Sequence, residues 1–261
     1  MTAAITTAPR FDMGRVVSRT FGAIGQNWLV FGLLALLLAS APQAAVGFAR
    51  VAMSGSLISG VATTFSWQAF GLAIGAGLVG LLSSCVLQAA LTHGTVSYLN
   101  GRPASFGDCL STGVRLLFPV LGIGILLGLA LVFGLILLIV PGVLMGLAWI
   151  VTVPVEVIER RGVLNAFGRS ADLTRNHRGA IFGLSVAYWV VVWALSAALA
   201  GLSFGALLHP NGVLAIVAVV VSALLQGAIG LLGSAGIAAI YYELRSIKEG
   251  IGPEELAAVF D

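Results

Sequence analysis

Few residues in this chain are equipped for chemistry, and most of those lie close together. Arg160, Arg161, Arg169, Arg175 and Arg178 share one short stretch with Glu156, the one acid inside a run long and apolar enough to cross a membrane. Guanidinium groups at a membrane edge are suited to anionic lipid headgroups, each contributing about 1 kcal/mol near such a surface. Their blander use is to fix which way the chain is oriented. An acid at membrane depth is a candidate for proton or cation handling. Glu156, however, precedes Arg160 by four residues near the end of its run, so an ion pair with that arginine is the expectation.

Elsewhere the inventory points away from catalysis. His93, His177 and His209 are scattered at different membrane boundaries. Cys85 and Cys109 belong to no CxxC or Cys/His cluster and read as free thiols. There is no GxSxG, P-loop, HExxH or carboxylate pair spaced for acid–base work. The expectation is a protein that is not an enzyme and has no metal or cofactor. Basic segments without interleaved aromatics also argue against nucleic acid as a partner.

The elements that must position these residues follow from composition. The chain has 261 residues, of which 59% are hydrophobic and 9% charged, with a mean hydropathy of +1.07. A soluble domain carries about a quarter charged residues, so most of this one must be solvated by lipid. Six apolar runs, at about 28–48, 69–92, 116–140, 143–158, 181–208 and 213–241, read as transmembrane helices. Pro141-Gly142 reads as the turn dividing the third from the fourth. Segments 11–27, 105–115 and 162–178 read as amphipathic interfacial helices; Ser105 and Asp108 have the spacing of a capping box for the second. Residues 242–261 form a polar tail. The fold class expected is therefore all-α, a polytopic bundle of six membrane spans with cytoplasmic interfacial helices in one integral membrane domain.

Loop charges test the span count. Of the 13 lysines and arginines, all but Arg50 fall on one side of a six-span topology, and the positive-inside rule makes that side cytoplasmic. Both termini are then cytoplasmic, and the setting is a bacterial inner membrane. Each basic segment precedes a pair of spans, so the chain reads as three units of interfacial helix plus hairpin, a candidate internal triplication.

Small-xxx-small spacings at Gly71/Gly75, Gly124/Gly128 and Gly201/Gly205, and a ladder at Gly227, Gly230, Gly233 and Gly236, are candidates for close helix packing, within the chain or against a second copy or another membrane protein. The resulting functional expectation is a non-catalytic, lipid-associated or membrane-organising module. The alternative is a small transporter or channel for a lipid or amphipathic solute.

The run VPVEVIERRGVLNAFGRSADLTRNH at 153–177 resembles the membrane domain that accompanies some glycerophosphodiester phosphodiesterases and also occurs alone in bacteria. The match falls on Pro141-Gly142, Val153-Pro154-Val155, Glu159, Leu164 to Ala166, Arg169-Ser170 and Leu173-Thr174-Arg175. The segments FDMGRVVSRTF and YYELRSIKEG are similar to that family's ends. Glu156 departs from the pattern, which has an aliphatic residue there. The resemblance implies a membrane domain with no established activity of its own, separate from the soluble barrel that performs the hydrolysis.

Overall fold

A carboxylate starts the first helix. The Asp12 side chain accepts from the backbone N–H groups of Gly14 at 2.8 Å and Arg15 at 3.3 Å, meeting two of the donors that any helix start leaves open. The helix it caps is α1 (Met13–Gln26) in the computed structural model, which describes residues 11–57, 67–137, 139–208 and 213–249. Next come α2 (Trp28–Ala35), a π-helical turn (Leu36–Ser40) and α3 (Ala41–Leu57), which make one continuous rod. They are followed by α4 (Trp67–Leu99), α5 (Phe106–Arg115), α6 (Leu117–Leu137) and α7 (Ile139–Ala148). The chain continues through α8 (Thr152–Glu159), α9 (Val163–Thr174), α10 (Arg178–Leu208) and α11 (Val213–Glu249).

No strand occurs among the described residues. Six stretches are long and apolar enough to cross a membrane: Trp28–Ala49, Phe70–Leu99, Leu117–Gly134, Val140–Glu159, Arg178–Gly201 and Val213–Glu249. The fold is an all-α helical bundle with six candidate spans, as the hydropathy pattern requires. The turn expected at 209–212, the loop at 58–66 and the tail beyond residue 249 lie outside the described residues.

The packing order repeats around a ring. The second spans of the three hairpins, α4, α7–α8 and α11, meet one another, through α8 in the case of the second. Each interfacial helix lies on the second span of the preceding unit: α5 on α4, α9 on α8, and α1, closing the ring, on α11. Each first span does likewise, with the α2–α3 rod on α11, α6 on α4 and α10 on α7. The central α7–α8 span has 56% of its apolar window buried, whereas peripheral α10 has 6%. Three cyclically repeated contacts of this kind are what three equivalent units would make.

Local departures from regular helix have identifiable causes. The π-helical turn brings Ser40 against α11, where its Oγ would lie 2.3 Å from a Cβ on Gly227; only glycine leaves that space. Pro141 and Gly142 do not form the expected turn. They lie in the first turn of α7, where a proline has no intrahelical N–H bond to lose, and Gly142 packs on Gly134 so closely that a Cβ on Gly134 would sit 2.9 Å from the Gly142 Cα. Ser105 stands at the N-cap of α5, but its side chain makes no capping hydrogen bond, so the capping box is not formed. The last helix also outruns its expected end. At 37 residues it is about 55 Å long, more than a bilayer core of about 30 Å needs, and it carries Leu244 into the core beyond the expected boundary at 241.

Within the chain, the ladder glycines other than Gly236 pack closely and the described glycines of the small-xxx-small pairs do not. Gly71, Gly75, Gly124, Gly128 and Gly201 have open space where a Cβ would stand, and the surroundings of Gly205 lie outside the described residues. The tight sites include Gly113, whose Cβ would lie 2.6 Å from the Val86 carbonyl oxygen, and Gly94, packed on Phe31 and Cys109. In the ladder, Gly227, Gly230 and Gly233 face Ser40, Leu87 and Tyr188, while Gly236 faces open space. Replacing Gly113 with alanine should destabilise by about 1–3 kcal/mol, because backbone must move. Gly71→Ala should stabilise by about 0.5–1 kcal/mol through helix propensity alone. Thermal unfolding in detergent separates the two, and equal shifts would count against the α4–α5 contact.

Candidate functional site

The basic stretch is built around a break in the fourth span. Between α7 and α8 the helix is interrupted at 149–151, and Pro154 falls in the first turn of the restarted helix. An interrupted helix leaves a carbonyl without its usual partner. Here the Ala148 carbonyl accepts from Ser170 Oγ at 2.9 Å and Thr174 Oγ1 at 3.2 Å, both from α9. Trp149 also meets Phe167 edge-on at 5.2 Å. The hydroxyls at 170 and 174 therefore fasten the interfacial helix to the broken span, which explains the burial of both residues.

At the far end of α8, Glu159 gathers charge. Its carboxylate lies 2.6 Å from Arg161 Nε and 3.2 Å from Arg169 Nε, and it accepts from the Tyr241 hydroxyl at 3.1 Å. Arg169 also pairs with Glu249, which accepts from Arg245 Nε at 2.6 Å. Lys248 donates to the Asp172 carbonyl. The end of α11 is thus stitched to α8 and α9 by a connected network, and Arg169 is an internal structural residue.

A second acid does the same for α1. Glu243 is 1% exposed and receives Arg19 Nη1 in an ion pair, while Arg15 Nε lies 3.1 Å away as an electrostatic contact. Arg19 also stands over the Tyr242 ring at 5.1 Å from its centre, a cation–π contact. The arginine face of α1 turns inward onto α11, and the large apolar residues Val17, Phe21 and Trp28 face outward. Nothing on α11 alone identifies Glu243 as a partner; the available signal was the four-residue spacing of Arg15 and Arg19, which presents two cations to one acid.

Glu156 is placed differently from expectation as well. It is buried, and its Oε2 has no hydrogen-bond partner. Arg160 ends α8 in the left-handed conformation (φ 49°, ψ 45°), which takes its side chain off the i,i+4 face, and no ion pair joins the two. Thr92 and Thr95 on α4 likewise bury hydroxyl oxygens without a partner.

The remaining cations are less engaged. Arg160 and Arg175 are exposed and Arg178 is half-buried. Along with Arg102 and Arg115, none has a carboxylate within ion-pair distance among the described residues. The five arginines singled out at 160–178 therefore divide into two engaged, Arg161 and Arg169, and three available.

Beside this end lies a groove of about 400 Å³ between α1, α10 and α11, bordered by Val17, Phe21, Leu184, Tyr188, Gly233 and Gly236. Its polar lining atoms are satisfied internally. Thr20 Oγ1 donates to the Val16 carbonyl at 2.8 Å, Ser185 Oγ to Ile181 at 2.9 Å and the Tyr188 hydroxyl to Ile229 at 3.1 Å. The groove therefore presents hydrocarbon.

No protein-family model, curated protein or solved structure matches the chain, so the resemblance rests alone on the residues at 141–142 and 153–177 and on the two end segments.

Two outcomes follow from this geometry. Glu243→Gln leaves two guanidinium groups facing a neutral amide and should cost about 3–5 kcal/mol, the usual result of breaking a buried pair from one side. Adding Arg19→Gln should then cost less than it does alone; additive losses of thermal stability would contradict the pairing. Burial, reinforced by Asp108, pushes the Cys109 thiol up to about 11, leaving little thiolate at neutral pH. Cys109 should resist maleimide in the folded protein and react once it is unfolded, as followed by mass spectrometry.

Proposed function

We propose that the protein is a non-catalytic membrane module that gathers anionic lipids at its basic end, which faces the cytoplasm. One observation carries this reading. The carboxylates Glu159, Glu243 and Glu249 are already paired with Arg15, Arg19, Arg161, Arg169 and Arg245, whereas Arg102, Arg115, Arg160, Arg175 and Arg178 are left facing outward or half-buried. A surplus of guanidinium groups at a bilayer surface attracts phosphates.

The outward apolar residues beside them support the same placement. Val114 and Leu164 on the interfacial helices are 57% and 78% exposed, as helices lying in the headgroup region require. The positive-inside bias supports cytoplasmic termini and a bacterial inner membrane. Family membership with the phosphodiesterase-associated membrane domains belongs to the same proposal; the Ser170 and Thr174 bonds to Ala148 give the shared residues a structural reason to occur together. The alternative, a lipid or solute transporter, has buried Glu156 as its foothold, and solute flux in sealed vesicles would favour it.

Protein reconstituted in mixed phosphatidylglycerol and phosphatidylcholine bilayers tests the proposal. Enrichment of spin-labelled phosphatidylglycerol at the protein should fall by about fivefold per site in Arg160→Ala and Arg175→Ala, from about 1 kcal/mol per juxtamembrane charge. Arg169→Ala should lower thermal stability and leave that enrichment near its original value. Unchanged enrichment in the Arg160 and Arg175 variants would overturn the reading.

A further inference from the structure

We infer that the groove between α1, α10 and α11 is a binding site for a single phospholipid, with one acyl chain in the groove and the phosphate at Arg178. The inference rests on the lipid-associating reading and specifies a site for it.

The groove identifies its occupant by what it lacks. Its hydroxyl groups donate to backbone carbonyls of their own or neighbouring helices, so a polar solute would lose its hydrogen bonds to water with nothing in exchange. A hydrocarbon chain loses none. The borders are also lipid-facing. Val17 and Phe21 on α1, and Trp189 and Val191 on α10, are all at least 44% exposed, so the groove opens sideways where acyl chains are the surrounding medium.

Depth and charge agree. From Leu184 to Val191 the α10 wall descends about 10 Å at the helical rise, and Arg178 stands about 9 Å above Leu184 at the start of the same helix. Arg178 and Ser185 are seven residues apart and share one stripe. Helical side chains lean towards the N-terminus, which sends the guanidinium away from the groove towards the headgroup level. Among the described residues Arg178 Nε is buried and meets no acceptor, and a buried donor without a partner is an exception that calls for one. A phosphate oxygen is an acceptor of suitable charge for it. Gly236 supplies width, since the space where its Cβ would stand is empty.

The probe is a phosphatidylglycerol carrying a diazirine partway along one acyl chain, photolysed in bilayers containing the full-length protein, with adducts mapped by mass spectrometry. Adducts should concentrate on Val17, Phe21, Tyr188 and Trp189 above those on Phe118 and Phe133, which face outward on α6. Gly236→Leu puts a side chain into the groove from a position whose Cβ would meet no neighbour, and Val17→Phe narrows it from the other wall. Either should remove the excess labelling while the protein stays folded by thermal unfolding. Diacylglycerol with the same diazirine, lacking the phosphate, should label the groove about fivefold less, and Arg178→Ala should erase that difference, one juxtamembrane charge being worth about that factor. Labelling spread evenly over all outward apolar residues, or groove labelling unchanged in both filling variants, would overturn the site. Arg160→Ala and Arg175→Ala should leave groove labelling intact. Loss of general phosphatidylglycerol enrichment with groove labelling retained, or the reverse, therefore tells the two proposals apart.

Discussion

Away from water, a free carbonyl or a carboxylate has to be met by the protein itself, and three such groups govern how this bundle closes. The Ala148 carbonyl, released by the break between α7 and α8, is met by two hydroxyls of α9. Glu159 is met by Arg161, Arg169 and Tyr241. Glu243 is met by Arg15 and Arg19, far away in sequence. The first two fix α9 to the unit before it, and the third fixes α1 to the last helix. The third joins the first unit to the last, beside the packing of the α2–α3 rod on α11.

This arrangement separates arginines that look alike in the sequence. A guanidinium paired with a buried acid is part of the core and has little capacity left for a ligand. One with no carboxylate within ion-pair distance among the described residues is a charge that this network leaves unneutralised. Arg169 and Arg175 stand six residues apart and fall on opposite sides of that division. The inward turn of the α1 arginines has a second effect. It leaves the large apolar face of α1 directed outward, and that face forms one wall of the hydrocarbon-lined groove.

Much of the architecture was legible because lipid imposes a coarse rule. Span number and approximate position follow from run length, and the six helices agree with the hydropathy reading to within a few residues at most ends. The ends that disagree are instructive. The sequence YYELRSIKE reads as a polar tail because its charges suggest solvent, yet Glu243 is buried by partners on α1 that no local pattern reveals. Glycine spacing pointed to Gly71, Gly75, Gly124 and Gly128, but spacing says only that two glycines share a face, and that face is turned away from the other helices. Gly113 and Gly134 became close-packing sites because a particular backbone crosses them. Arg160 was an apparent partner for Glu156 until the left-handed residue ended the helix. Ser170, Thr174, Arg169 and Glu159, four of the residues on which the resemblance at 153–177 falls, all bear on the helical break and the helices that follow it.

The closed ring can be tested by distance. With Cys85 and Cys109 replaced, spin labels on Phe21→Cys in α1 and Lys248→Cys in α11, both exposed positions, report whether α1 is fixed on the last helix in a bilayer. Double electron–electron resonance should give one narrow distance distribution, broadened when Glu243 is also changed to glutamine. A broad distribution in the otherwise unaltered protein would contradict the closure on which the basic end and the groove both depend.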